Sequence, residues 1–495
     1  KAFMRTRVPT AILTTLLIAG LMPAAAASVP TAPSLKPPLT PASRVVSTTD
    51  AAIVRDAITA AKRGDWTTVS RYESQARDET VKDLILWYRA TGDTSMSFDE
   101  LNRALQRLAI WPDTSRMKIR AEDAISGSVL TAAQRVEWFA ANGAPESGNG
   151  RMALADALDS LGQQDKAAEV IRLAWRGNTL SSADSAMVLS RYGNILTQDD
   201  HQARADFLLW TGQRTAASQL KPFLSGDWQK LVEARIRLQA RSAGVDGAVD
   251  AVPASLQTNG GLLYDRAKWR RSAGQGEEAY VPLLEQIDGA EIPEAGRGTL
   301  WSERHLAVRS ALKERDYKSA YALSAPNGMS SGGSFADAEW LAGWIALQFN
   351  GNPQAALAHF EKLERGVSTP ISVARALYWQ GRAKTALGDS AGAAERYRAA
   401  AQFPYVYYGQ LAAEEVDMET FQLGTDHVVT DAQRAQFNAR PLVKALKILA
   451  ENGEDYQFRR FAYHLDDQLE SPEDYDLLAE IAQEYNYYDV GVRGA

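Results

Sequence analysis

The chain has 495 residues, of which 45% are hydrophobic and 23% charged, enough apolar material for a core and unlike the composition of a disordered segment. Its formal charge of −7 argues against nucleic acid as a partner, because that binding rests on clustered lysine and arginine. The sequence contains no cysteine, which excludes disulfides, thiol chemistry and a lipid-anchored cysteine.

At the N-terminus Arg5 and Arg7 precede an apolar run, Ala11 to Leu21, and Ala25-Ala26-Ala27 before Ser28 fits the small-x-small cleavage rule. Residues 1–27 are therefore expected to be a signal peptide read from Met4, which sends the mature protein to the periplasm of a Gram-negative envelope. The run is shorter than the roughly 20 residues of a membrane span, and no later stretch approaches that length without charges. No integral membrane segment is expected in the mature chain. Residues 28–45 follow as a tether, with prolines throughout Ser28 to Ser43 holding it extended.

From Thr49 onward apolar residues recur at helical spacing, and short turns of glycine, aspartate or asparagine separate the segments. Self-similarity is plainest where Gly343, Gly351 and Phe360 recur as Gly381, Gly388 and Tyr397, displaced by 38, 37 and 37 residues. Weaker copies centre on Gly64, Gly162, Gly212 and Gly274. A glycine ends one helix in the left-handed conformation. Small pairs such as Ala355-Ala356 and Ala393-Ala394 then let the returning helix lie close. The expected fold for residues 46–415 is an all-α, irregular solenoid of paired helices of the tetratricopeptide kind, curved around a concave face or closed into a ring. Residues 416–495 read as a loop followed by a smaller helical linker region, in which Ser471 should cap a helix with Pro472 at its first position and Asp474 at its third. With neither cap nor tail at Ala495, the chain is expected to stop short of a further domain.

Chemistry is sparse. The five histidines, His201, His305, His359, His427 and His464, form no metal-ligand spacing, and His359 is expected to be a half-buried or surface helix residue. Gly328-Met329-Ser330-Ser331-Gly332 matches a hydrolase elbow formally, but no strand precedes it, and a loop between helix pairs is expected. Trp340 and Trp344 are neighbours on one helix face and, with Trp379, are expected to pack in preference to stacking on sugars.

In "FPYVYYGQLAAEE", Pro404 is expected in the first turn of a helix, with Tyr405, Tyr408 and Ala412 on one stripe. Gly409 inside that helix calls for a close neighbour, so the stretch should be the packing seam that seats the last solenoid helix.

The ordered set Trp340, Gly343, Trp344, Thr369-Pro370-Ile371-Ser372, Ala374-Arg375, Tyr378-Trp379, Gly381-Arg382 and Tyr407-Tyr408-Gly409-Gln410-Leu411-Ala412 resembles the superhelical N-terminal region of the soluble lytic transglycosylases, periplasmic enzymes that cleave peptidoglycan. The resemblance implies a doughnut-shaped superhelix followed by a lysozyme-like domain. There, one glutamate protonates the glycosidic oxygen between N-acetylmuramic acid and N-acetylglucosamine, then acts as base while the muramoyl 6-hydroxyl closes a 1,6-anhydro ring. It implies peptidoglycan glycan strands as the partner, other cell-wall enzymes as a further class of partner, and neither cofactor nor metal. That glutamate belongs to a Glu-Ser motif with Gly-Leu-Met-Gln and Asn-Ala-Gly downstream. Glu73-Ser74, Glu146-Ser147 and Glu470-Ser471 lack this context, so no residue is assigned as catalytic, cofactor-binding or metal-binding. The rival reading is a helical-repeat scaffold that binds protein partners in the envelope.

Overall fold

Ser47 accepts a hydrogen bond from the Asp50 amide and opens the first helix, Thr48–Lys62, two residues after the expected end of the tether. The computed structural model describes residues 43–418 and 428–494, and residues 45–495 make one compact unit. The expected signal peptide, nearly all of the tether and His427 lie outside the described residues. Among those described there are 27 α-helices and no strand, so the all-α solenoid is what the chain forms.

The repeat seen in the sequence is a repeat of contacts. Helices Gly333–Gln348 and Pro353–Arg365 pair, and Pro370–Ala386 and Ser390–Ala401 pair in the same way. Gly351 and Gly388 hold φ of +59° and +80° in the two turns, a conformation that costs residues with a Cβ. Asn352 and Asp389 then cap the second helices, accepting from the amides of Ala355 and Gly392. At Gly343 an added Cβ would lie 2.6 Å from the Phe360 ring; at Gly381 it would lie 2.5 Å from the Tyr397 ring. Each aromatic ring occupies the space a side chain would take, and this brings the two helices of a pair together.

Arginines that are half-buried (Arg120) or buried (Arg204, Arg304) tie one pair to the next. The Arg120 guanidinium donates to the carbonyls of Arg89, Ala90 and Asp93 at the end of helix Glu79–Gly92. Arg204 does the same to Trp175 and Asn178, which end helix Gln164–Gly177. Arg304 donates to Leu284, Ile287 and Pro326. The last carbonyls of a helix have no partner within it and carry its negative pole, so a guanidinium satisfies both needs together. Burial pulls the Arg204 and Arg304 guanidinia down to about 10, and both remain charged at neutral pH.

The first helices and the helices that follow residue 428 share one core. Phe461, on helix Asp455–Asp466, sits edge-on to Trp87 and Trp111 with ring centroids 4.9 and 5.6 Å away. Around it, buried residues between Ile53 and Ala153 join those between Phe437 and Val490 in a single hydrophobic cluster. Polar contacts line its edge: Lys62 pairs with Glu454 at 2.5 Å, Lys444 with Asp78, and Arg460 with Asp113. His464 Nε2 and Gln468 Nε2 lie 2.9 and 3.1 Å from the Ile110 carbonyl. Residues 437–490 therefore pack back on the first helices, a long-range contact that helical periodicity had left open.

Phe461→Ala removes the ring that both sets of helices share and should cost about 3–5 kcal/mol of stability. Hydrogen exchange should then accelerate together in residues 53–111 and 442–482, two segments far apart in sequence; acceleration in the second alone would mean that they do not form one cooperative core.

Candidate functional site

Helical spacing puts Trp340 and Trp344 one turn apart, and their rings stack with centroids 5.8 Å apart and planes inclined by 14°. Trp344 meets the Phe349 ring at 5.0 Å, and Phe349 stacks on Tyr317 at 4.1 Å. In the other direction Trp340 reaches Trp379 at 6.3 Å, Trp379 reaches Tyr408 at 6.5 Å, and Tyr408 touches Tyr407 at 5.1 Å. Seven rings thus run as a belt across helices Tyr317–Ser324, Gly333–Gln348, Pro370–Ala386 and Tyr407–Glu414. The three tryptophans and Tyr317 at one end are half-buried, in keeping with the packing role expected of the tryptophans, while Phe349 is 39% exposed and Tyr407 at the other end 68%.

The belt is polar at its edges. The Arg375 guanidinium lies 5.4 Å over Trp340, and that of Arg382 lies 6.0 Å over Trp379 while donating to the Tyr378 hydroxyl at 3.0 Å. Trp340 Nε1, Trp379 Nε1 and Arg375 Nε are buried without a hydrogen-bond partner among the described residues. Those three N–H groups are enclosed by protein, so what the belt offers a ligand is its exposed ring surface and flanking guanidinia, which suit apolar C–H faces.

The tyrosine stretch departs from its expected geometry in one respect. Its helix begins at Tyr407 with Val406 as the capping residue, and Pro404 lies in the preceding turn. The Val406 amide donates to the Phe403 carbonyl at 3.2 Å, a turn that delays the helix and leaves Tyr405 exposed, off the stripe formed by Tyr408 and Ala412. The close neighbour required by Gly409 is the backbone of that same turn: a Cβ there would fall 1.9 Å from the Phe403 oxygen. Ser471, by contrast, caps its helix as expected, accepting from the Asp474 amide at 3.2 Å with Pro472 in the first turn.

Beneath the belt lies a polar cluster with no signature in the sequence. The fully buried Glu339 carboxylate takes His359 Nδ1 at 2.7 Å, Lys362 Nζ at 2.5 Å and Asn327 Nδ2 at 2.7 Å, and His359 Nε2 is 3.1 Å from the Tyr321 hydroxyl. Burial pushes the carboxyl up, but the three hydrogen bonds together outweigh it and hold Glu339 below the usual glutamate range. A general acid for glycosidic cleavage needs a raised value, so this carboxylate is suited to holding helices and not to donating a proton. His359 is half-buried, as its sequence setting implied.

The remaining sequence candidates do not converge on the belt. Glu73 pairs with Arg89 at 2.8 Å, Glu146 with Lys118 at 3.0 Å, and Ser147 and Ser471 are helix caps. Residues 328–332 form a loop with no strand before it. His201 is buried against Trp175, His305 stacks on Trp301, and His464 reaches the Ile110 carbonyl.

No protein-family model matches the chain, and no curated protein matches it. Among solved structures, an inactive mutant of the lytic transglycosylase Slt from Pseudomonas aeruginosa is 17% identical, with a TM-score of 0.51 over 89% of this chain and 70% of its own. The 70 kDa soluble lytic transglycosylase of Escherichia coli is 14% identical over 90% of this chain and 70% of its own, with a TM-score of 0.45. At these identities the likeness is one of fold, and the Pseudomonas structure carries it. Both solved structures are lytic transglycosylases, the family that the residues between Trp340 and Ala412 resemble.

Gly409→Leu should cost about 1–3 kcal/mol, because a backbone carbonyl cannot move aside as a side chain does; an unchanged melting temperature would remove the seam. Glu339→Gln should cost about 1–3 kcal/mol at neutral pH. The wild-type carboxyl is lowered in the folded state, so its contribution is complete above about pH 4.3 and lost as pH falls through the folded value. Urea titrations across that range should therefore show a shallower acid loss in the variant.

Proposed function

We propose that this chain is the non-catalytic, superhelical portion of a periplasmic lytic transglycosylase, with residues 46–415 as the superhelix and 416–495 as a helical linker. The parent activity would cleave the bond between N-acetylmuramic acid and N-acetylglucosamine without water, leaving 1,6-anhydromuramoyl ends. Within these 495 residues the role is to bind and orient glycan strands. The observation that carries this reading is the coincidence of one family in two independent places: the ordered residues from Trp340 to Ala412, and a fold likeness to Slt over 89% of the chain.

The belt supplies the physical means. Amino sugars present C–H faces, and a row of rings with exposed members at Phe349 and Tyr407 can take them. The absence of Gly-Leu-Met-Gln and Asn-Ala-Gly motifs after any Glu-Ser pair supports assigning the bond-breaking step to residues other than these.

Incubated with purified sacculi, the chain should sediment with them and release no 1,6-anhydromuropeptides. Release of that product would overturn the non-catalytic assignment. Tyr407→Ala and Phe349→Ala, the two exposed rings of the belt, should together weaken sedimentation about tenfold. Unaltered retention of the double variant would remove the belt as the contact, and retention of envelope proteins in place of sacculi would favour the scaffold reading.

A further inference from the structure

Well outside the belt in sequence, a cavity of about 320 Å³ lies where the C-terminal ends of helices Gln198–Trp210 and Gly226–Ala240 meet helix Gly260–Ser272. Its volume falls at the lower end of the range for small-ligand sites. Trp210, Tyr264 and Trp269 supply ring surface, and Arg214, Arg241 and Lys268 stand exposed around it.

The aromatic wall is fixed. Trp210 is 6% exposed and packs over Gly296, where a Cβ would lie 2.6 Å from its ring. On its other side the buried Arg235 guanidinium stacks at 5.5 Å and pairs with Asp265 at 2.7 Å and Asp206 at 2.5 Å. Gln239 Nε2 bonds the Leu209 carbonyl at 3.0 Å and the Asp265 carboxylate at 3.2 Å, so the polar groups lining the cavity are held by protein partners.

The cations are not similarly engaged. Arg214 and Arg241 have no ion-pair or side-chain hydrogen-bond partner among the described residues, and Lys268 Nζ donates only to the neutral Tyr264 hydroxyl, at 3.1 Å. The charge balance favours an anion. Asp206 and Asp265 share one arginine and leave about one negative charge; two helix ends add about half a charge each. Three full positive charges exceed that sum.

We propose that this cavity binds the free carboxylates of a short acidic peptide, with the peptide's aliphatic portions against Trp269 and Tyr264. Under the function proposed above, on which the identity of the source rests, that peptide is the stem attached to the glycan. The superhelix then holds the polymer at two chemically different places: sugar faces on the belt and peptide carboxylates in the cavity.

The test is a tryptophan-fluorescence titration of the whole chain with a disaccharide-tripeptide from peptidoglycan, with the same compound after amidation of its carboxylates, and with the free disaccharide. Amidation, and separately the double variant Arg214→Ala/Lys268→Ala, should each weaken binding about tenfold. Added salt should weaken the wild-type complex. Both replaced residues are exposed, and an unchanged melting temperature for the double variant confirms that folding is intact. Equal affinity for the amidated compound, or an unaffected double variant, overturns the proposal, as does failure of the wild type to bind the tripeptide compound. Sedimentation with sacculi separates the two claims. Retention without tripeptide binding removes the cavity site and leaves the proposed function; tripeptide binding without retention keeps a carboxylate site and removes the wall polymer as its source.

Discussion

A stack of helix pairs has two ends, and each exposes an apolar helix face that the next pair would otherwise cover. Here the face at the N-terminal end is covered by helices from residues 437–490. Phe461 between Trp87 and Trp111 is the point of contact, and one core runs from Ile53 to Ala153 and from Phe437 to Val490. A local pair of helices buries little by itself, so this long-range contact adds a core that nearest-neighbour interfaces alone do not supply. The partly buried ion pairs around it fix register, because desolvation offsets much of their attraction. Arg460 with Asp113 is more constrained: Asp113 holds φ of +73° just before helix Thr114–Ala124, and the ion pair fixes that residue against helix Asp455–Asp466.

Close packing limits how much each interface can shift, which makes the polar groups between helices expensive to leave unpaired. The interhelical arginines answer that constraint. Arg120, Arg204 and Arg304 each bind carbonyls from a neighbouring helix end, so the charge is spread over two or three acceptors and needs no carboxylate. Arg235 is the exception, pairing with Asp206 and Asp265, and it lies beside the cavity that the exposed cations surround.

The legible part of the fold was local and periodic. Gly343 against Phe360 and Gly381 against Tyr397 are the same contact one repeat apart, and their spacing of 38 and 37 residues is visible in the sequence because the contact is made within each pair. Phe461 and Trp87 are separated by hundreds of residues and share no period, so their contact had no local trace. Pro404 misled because its fixed φ suits a helix start and a turn equally well; the hydrogen bond from Val406 to Phe403 decides for the turn. Glu339, His359, Lys362 and Asn327 come from two helices and a loop, and only the folded chain shows that they meet.

The tryptophans were legible as residues and not as a site. Their helical spacing implied packing, and they do pack; yet ring contact also carries the belt from Tyr317 to Tyr407 across four helices, with Phe349 and Tyr407 exposed. Packing and binding are therefore compatible uses of the same rings: the half of each ring that is buried fixes the orientation of the half that is not. A rigid row of this kind loses little conformational entropy when a ligand lies along it. That is the property needed by a scaffold whose task, under the proposed function, is to hold a polymer in one orientation while bonds are broken elsewhere.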